Sequence, residues 1–289
     1  MKIRAPAKIN LTLRVVGKRA DGYHLLDTIM LPVSLYDEVE IRRIHGGLPQ
    51  GDAPTISVTC DDPMVPNGEK NLAYRAAALL LKKARRCDRV EIRIHKNIPV
   101  GAGLGGGSTD AAAVLVGLNR LLKLGYSAGQ LEKIAVAIGA DVPFFIQARP
   151  ARVRGIGERL SRLGAVPRRW LVILYPGFAV STAGVYRNLV LKLTKYGVNT
   201  SIAAPLRDLK KTGKLLINDL ETVTLKRYSR IKVLKDKLLC TGAVAALMSG
   251  SGSAVFGIFA SEREAKFAFC RLRQEEGARA FLARVLSYK

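Results

Sequence analysis

The sequence predicts mixed α and β structure in two parts, and three observations lead there. Apolar residues alternate at period two in several short runs, the mark of half-buried strands. Among those runs lie Ala- and Leu-rich segments whose apolar residues recur at helical spacing. The composition then changes over residues 149–169, which hold seven arginines and three glycines with no strong period. That shift puts a domain boundary near residue 160 and gives expected domains of residues 1–160 and 161–289. The 289 residues suit the division, because a domain commonly takes about 100–200.

The elements follow in order. Ile9, Leu11, Leu13 and Val15 fall on one side of a strand over residues 2–16. Val39 and Ile41 mark a second strand, and Ile56, Val58 and Cys60 a third. Residues 71–86 read as a helix. Val90, Ile92 and Ile94 alternate with Glu91, Arg93 and His95 in a fourth strand. A glycine-rich run follows, and after it Ala111, Leu115, Leu118 and Leu122 recur at helical spacing. Ser127 can cap a further helix through Leu131, Ile134 and Ile138, closed by Gly139. In the second part, residues 170–175 form an apolar strand. Residues 195–215 are polar and Lys-rich, a surface segment of loop and helix. Residues 218–237 are mostly helical, and 254–259 form a strand. Ser261-Glu262-Arg263-Glu264 reads as a capping box opening a final helix through Leu272. No internal repeat is visible.

Composition excludes several classes. Apolar residues make up 48% and charged residues 24%, enough apolar surface to bury that disorder is excluded as the main state. No apolar run approaches the ~18 residues of a membrane span. Residues 1–6 run straight into an apolar alternation, so no signal or transit peptide is expected. Cys60, Cys87, Cys240 and Cys270 are scattered without a CxxC, which argues against a zinc site or a disulfide framework and for a reduced, cytoplasmic protein. The formal net charge of +24 points to anions of some kind: nucleic acid, a membrane surface or small molecules. Residues 1–150 hold 21 basic and 14 acidic groups, and residues 151–289 hold 26 and 9. The basic residues are diffuse and aromatics reach only 6%, which fits a solvated basic surface better than a nucleic-acid face.

The stretch Pro99-Val100-Gly101-Ala102-Gly103-Leu104-Gly105-Gly106-Gly107-Ser108-Thr109 carries the most information. Five glycines in seven positions cost entropy on ordering, and suit a backbone that turns tightly against a ligand. The loop follows a strand and opens a helix, whose N-terminal N–H groups and dipole suit phosphate. Ser108 and Thr109 add hydroxyl groups. The alternative, a flexible linker, does not fit a place between a strand and an amphipathic helix. The run lacks the Gly-Lys-Ser/Thr of a P-loop. Gly101, Gly103 and Gly106 match a dinucleotide fingerprint, but no acidic residue ends a following strand: Gly125-Tyr126-Ser127 lies between two helices and Glu132 within one.

Together with two further motifs, this loop resembles the galactokinase, homoserine kinase, mevalonate kinase and phosphomevalonate kinase (GHMP) superfamily. Ala5-Pro6-Ala7-Lys8-Ile9-Asn10-Leu11 resembles its first motif and Met248-Ser249-Gly250-Ser251-Gly252-Ser253 its third. Arg19-Ala20-Asp21-Gly22-Tyr23-His24 and Gly139-Ala140-Asp141-Val142-Pro143-Phe144-Phe145 are similar to the branch of that family whose substrate is a diphosphocytidyl methylerythritol. The five motifs run in order from residue 3 to about 259. The resemblance implies an α+β, two-domain kinase fold: an N-terminal domain of a ribosomal-protein-like kind and a ferredoxin-like C-terminal domain. It implies ATP and Mg²⁺ as cofactors, a 2-hydroxyl as phosphoryl acceptor, and a place in the non-mevalonate route to isoprenoid precursors. The expected partner is a small molecule rather than nucleic acid or membrane, and the expected state a monomer or weak homodimer. Other alcohols remain open as substrates within the family. An RNA-binding protein on the ribosomal-type fold is the reading from another class.

From the residues alone, Asp141 is either a helix C-cap or turn residue, or a carboxylate desolvated by the apolar run after it and suited to act as a base. The resemblance implies the base. Lys8 reads alone as a lysine on a solvated strand face; the resemblance implies that it points into the active site beside Asp141 and stabilises charge there. Asn10 projects to the same side, two residues on, and can bind substrate. Tyr23 and His24 follow the turn signal Asp21-Gly22 as core aromatics or as a face and an edge for a base; the resemblance implies cytosine. It also places Val153, Thr182 and Tyr186 along the substrate. It assigns residues 99–109 to the ATP phosphates, makes Ser108 a candidate Mg²⁺ ligand, and gives residues 249–253 a packing role. Asn218-Asp219-Leu220-Glu221 resembles the family without an assigned role. Ala148-Arg149-Pro150 stands where the family is usually richer in glycine.

Overall fold

The structure is a computed structural model of the chain and describes residues 1–44, 54–190 and 216–286. The polar segment expected over 195–215 lies outside the described residues. The chain divides into two compact units, neither of them one continuous stretch. The first comprises Met1–Ala7, Tyr36–Val100 and Gly105–Ala148. The second comprises Lys8–Leu35, Gly101–Leu104 and Arg149–Lys289. Two long strands, β1 (Lys2–Lys18) and β2 (His24–Arg43), give residues to both.

In the first unit, the C-terminal half of β2 pairs antiparallel with β4 (Arg89–His95), which pairs parallel with β3 (Thr55–Cys60). Helix α1 (Leu72–Lys83) buries Ala73, Ala76, Ala77, Leu80 and Leu81, one stripe at positions three and four apart. Its N-cap Asn71 accepts from the Ala73 N–H at 2.8 Å. The stripe packs on α2 (Gly106–Leu121), whose Gly117 lies against Ile41 and Ile3 so closely that a Cβ would fall 2.4 and 2.8 Å from their Cδ1 atoms. Ser127 caps α3 (Ala128–Ala135) in a reciprocal box with Gln130. The short α4 (Val142–Gln147) buries Val142, Pro143, Phe144, Phe145 and Ile146. It ends on Ala148 at φ +47°, a left-handed conformation that glycine adopts more cheaply.

In the second unit, the N-terminal half of β2 pairs with β5 (Ala151–Gly155), which pairs with β6 (Arg159–Arg162). This hairpin lies in the arginine-rich stretch that showed no period in the sequence. The rest contains β7 (Trp170–Tyr175), α5 (Thr182–Arg187), β8 (Ile217–Asn218), α6 (Glu221–Arg227), α7 (Ser229–Cys240), β9 (Ala245–Met248), β10 (Val255–Phe259), α8 (Glu262–Leu272) and β11 (Arg279–Arg284). Strand β8 pairs parallel with β1. Strands β7, β9, β10 and β11 form an antiparallel sheet in the order β11-β7-β10-β9. With α7 and α8 packed on it, this is the β-α-β-β-α-β arrangement of a ferredoxin-like domain. Apolar residues of β7, α7, β10 and α8, among them Val172, Leu234, Val255 and Ala265, form one core. Ser261 caps α8, while Glu264 reaches past it to the Ala260 N–H. Strands β9 and β11 add to what the sequence predicts. No helix among the described residues is long and apolar enough to cross a membrane.

Candidate active site

The glycine-rich run forms the turn between β4 and α2, where the sequence places it. Gly101, Gly103 and Gly105 adopt φ of +65°, +75° and +78°, a region in which a Cβ is strained. Between them Ala102 and Leu104 turn inward and are buried, as is Pro99, while Val100 is half-buried. Gly101 and Gly107 are exposed, and Gly103, Gly105 and Gly106 half-buried. Helix α2 begins at Gly106, so its first N–H groups, at Gly106, Gly107 and Ser108, have no carbonyl one turn back. Ser108 is half-buried and Thr109 fully so.

A buried ionic cluster lies beneath the two ends of this loop. Lys96 directly follows β4 and donates to both Asp37 and Asp110, the latter at 2.8 Å. Asp37 also accepts from the Asn97 N–H at 2.7 Å and the Ile98 N–H at 2.8 Å, at the entry to the loop. Asp110 sits in the second turn of α2, at the exit. Burial opposes the charge on Lys96, but Asp110 and Asp37 outweigh it and hold its pKa above the usual lysine range. Burial pushes the Asp110 carboxyl up to about 7 against the pull of Lys96, and its Oδ1 has no hydrogen-bond partner.

In the second unit, Lys8, Asn10 and Thr12 occupy alternate positions of β1, each under 5% exposed. Lys8 therefore does not stand on a solvated face. Its Nζ donates to Asn10 Oδ1 at 2.5 Å; Asn10 donates to Thr28 Oγ1 at 2.8 Å, and Thr28 to the Thr12 carbonyl at 2.6 Å. The Lys8 N–H donates to the Leu104 carbonyl at 2.9 Å, tying strand to loop. Residues 249–253 pack on the same loop. Ser249 Oγ donates to the Gly103 carbonyl at 2.9 Å, and the Ala254 N–H to that of Ala102 at 3.1 Å. A Cβ on Gly103 would lie 2.1 Å from the Ser249 carbonyl oxygen; one on Gly250 would lie 3.3 Å from Lys8 Nζ.

Asp141 occupies the turn before α4, half-buried, at the N-cap position but without a side-chain cap bond. Tyr23 follows a tight turn in which Gly22 takes φ +89° and the Arg19 N–H donates to the Tyr23 carbonyl; the residue is 61% exposed. His24 stacks on Tyr186 with ring centroids 5.1 Å apart, so these two come together. Burial, then the charge of Lys18, pushes the His24 pKa down from its ordinary value. Thr182 opens α5 and its hydroxyl lies 2.8 Å from that of Ser251. Val153 is buried on β5, opposite Thr28.

Sequence reasoning missed the Lys96, Asp37 and Asp110 cluster, although Lys96 and Asp110 flank the glycine run and two such charges bracketing a phosphate loop were a signal. It also missed Asp27 and Arg152, a bidentate pair at 2.7 and 2.5 Å on neighbouring strands. That pair joins residues 125 apart, which no local pattern reveals.

Comparison with known proteins identifies the family. Residues 71–149 match the model of the GHMP kinases N terminal domain, and residues 201–278 that of the GHMP kinases C terminal region. The fold is shared with a homoserine kinase from Cytophaga hutchinsonii at a TM-score of 0.74 and 19% identity, over 99% of this chain and 94% of that one. The chain belongs to the GHMP kinases, a family of ATP-dependent small-molecule kinases. Within it, the chain is 48% identical to the 4-diphosphocytidyl-2-C-methyl-D-erythritol kinase of Citrifermentans bemidjiense, over 96% of each chain. It is 42% identical to the protein of the same name from Pelobacter propionicus, over 99% of each. A crystal structure of a 4-(cytidine 5'-diphospho)-2C-methyl-D-erythritol kinase superposes at a TM-score of 0.83 with 36% identity, over 99% of both chains.

Proposed function

We propose that this chain transfers the γ-phosphoryl group of ATP to the 2-hydroxyl of 4-diphosphocytidyl-2-C-methyl-D-erythritol, on the non-mevalonate route to isoprenoid precursors. The observation that carries this reading is the 48% identity, over 96% of both chains, to a kinase named for that substrate. The glycine loop with Lys8 buried behind it supports phosphoryl transfer, which depends on positioning and charge stabilisation more than on covalent chemistry.

The N–H groups of residues 101–108 receive the ATP phosphates. Asp141 accepts the proton of the 2-hydroxyl as that oxygen attacks the γ-phosphorus, and ADP leaves. The Lys8 ammonium, held by Asn10, stabilises the negative charge of the transferring group. Among the described residues no group of three acids, histidines or cysteines could hold a metal ion. Mg²⁺ carried by the ATP phosphates would find the Ser108 hydroxyl at the start of α2 as a protein ligand, and would contribute charge neutralisation there. The exposed Tyr23 offers a face for the cytosine, and His24, braced by Tyr186, exchanges hydrogen bonds with its edge. Asn10 supplies a polar contact to the substrate, Thr182 lines the far side of the cytidine pocket with Tyr186, and Val153 adds an apolar contact. In this reading residues 1–160 contribute the phosphate loop and the base, residues 161–289 contribute Thr182 and Tyr186, and the enzyme works as a monomer or weak homodimer.

The test measures ADP release that depends on the diphosphocytidyl sugar alcohol, beside calorimetric binding of ATP. The wild-type chain should release ADP with this acceptor. Asp141→Asn should lose roughly 10²–10⁴-fold in turnover while keeping its ATP affinity. Near-normal turnover in that variant contradicts Asp141 as the base.

A further inference from the structure

Asn218 is buried at 5% exposure in β8, paired with Leu13 of β1, the strand that carries Lys8. One amide hydrogen goes to the Met248 carbonyl at 2.8 Å and the other to the Gly250 carbonyl at 2.7 Å. Its Oδ1 accepts from the Leu220 N–H at 3.0 Å. Both donors are committed to backbone, and only an amide supplies two donors and an acceptor in this plane. Its neighbours extend the tie. Asp219 accepts from the Val15 N–H at 2.8 Å, and its own N–H donates to Leu13. Glu221 accepts from the Met248 N–H at 2.8 Å and pairs with Lys235 at 2.7 Å. The four residues 218–221 thus bind β1 on one side and Met248–Gly250 on the other.

What they hold faces the reacting groups. Gly250, at φ +57°, lies where a Cβ would come 3.3 Å from Lys8 Nζ and 3.2 Å from the Gly103 carbonyl oxygen. Ser249 is hydrogen-bonded to that same carbonyl. The backbone fixed by Asn218 is therefore one wall of the space around the Lys8 ammonium and the brace behind the phosphate loop.

We propose that Asn218, with Glu221 as a second point of attachment, is a positioning residue for phosphoryl transfer. It sets the place of Lys8 and of the loop at Gly103 through the Met248–Gly250 backbone, without touching substrate. This role rests on the reading of Lys8 and the glycine loop given under the proposed function. Replacing Asn218 leaves two buried carbonyls without donors and frees the wall to shift, and shifts of about 1 Å at such sites cost about 100-fold in rate.

The experiment compares Asn218→Leu, Gly250→Ala and, as a control for stability alone, Leu234→Ala in the core of the same unit. Melting temperature, ATP dissociation constant by calorimetry and steady-state constants are measured on the full chain. Asn218→Leu should weaken ATP about tenfold and lower kcat about 100-fold, with KM for the sugar alcohol unchanged. Gly250→Ala, which sets a methyl group against Lys8, should show the same pattern. Leu234→Ala should melt lower and leave the ATP constant and the kcat per folded molecule alone. If Asn218→Leu melts lower but binds ATP and turns over per folded molecule like the wild type, Asn218 is structural only and the proposal fails. Calorimetry needs no acceptor, so a wild-type chain that binds ATP but ignores the diphosphocytidyl alcohol overturns the acceptor assignment while the Asn218 binding comparison still stands.

Discussion

Asp37 and Asp110 share the ammonium of Lys96 where each of the three side chains is at most 4% exposed. Two acids compete for one base, and burial pushes the Asp110 carboxyl up to about 7. In the unfolded chain that carboxyl returns to about 3.8. Between these values the folded state holds a proton that the unfolded state has released, so stability falls as pH rises through the window and levels off above about 7. Asp110→Asn carries no titrating group and should lose that slope. Urea unfolding of both proteins between pH 4.5 and 8 should show the variant gaining on the wild type as pH rises, by about 1.4 kcal/mol for each pH step crossed inside the window. Parallel curves would contradict the assignment. The same scale shows what the sequence withheld. Lys8 in an apolar alternation reads as a solvated lysine, because the buried face that carries Lys8, Asn10 and Thr12 is polar and so alternates in the sequence as a solvated face would. Only the motif around it pointed inward. Tyr23, by contrast, stays 61% exposed, and its place after Asp21-Gly22 was readable from turn chemistry alone.

Elements with a strong period were legible. Strands β1 and β4, helices α1 and α2 and the caps at Ser127 and Ser261 stand where alternation, spacing and capping residues put them. The β5–β6 hairpin was not, because Arg152 takes a half-buried strand position by pairing with a distant aspartate and so reads as surface. Strand β9, Ala245–Met248, is buried at every residue and has no alternation to detect. The glycine loop is the element whose conformation the sequence specified best. Its glycines are required twice over at Gly103, by a positive φ and by the Ser249 carbonyl oxygen 2.1 Å from where a Cβ would sit. That neighbour is backbone and cannot swing away. Gly103→Ala should therefore weaken ATP by about tenfold or more, through strain of about 1–3 kcal/mol delivered to the loop itself. Calorimetry would measure it, and an unchanged ATP constant would show that the loop does not hold the nucleotide.

At the scale of the whole molecule, the +24 charge first suggested a polyanion and the motifs redirected it to small ones. ATP and a diphosphocytidyl sugar alcohol are both anionic, and a basic surface gathers them by an attraction that salt screens. Most of the excess lies after residue 150, beyond the glycine loop, so charge alone never identified the site. What identified it was the order of five motifs along the chain, and they meet in three dimensions where they share a unit: the first motif, the loop at Gly103 and the third motif surround Lys8. The central question is which alcohol this kinase accepts. An ADP-release assay with 4-diphosphocytidyl-2-C-methyl-D-erythritol, mevalonate, homoserine and galactose as alternative acceptors tests that directly. Stimulation by the first alone is the expected result. No stimulation by it, or stronger stimulation by any of the other three, would contradict the assignment.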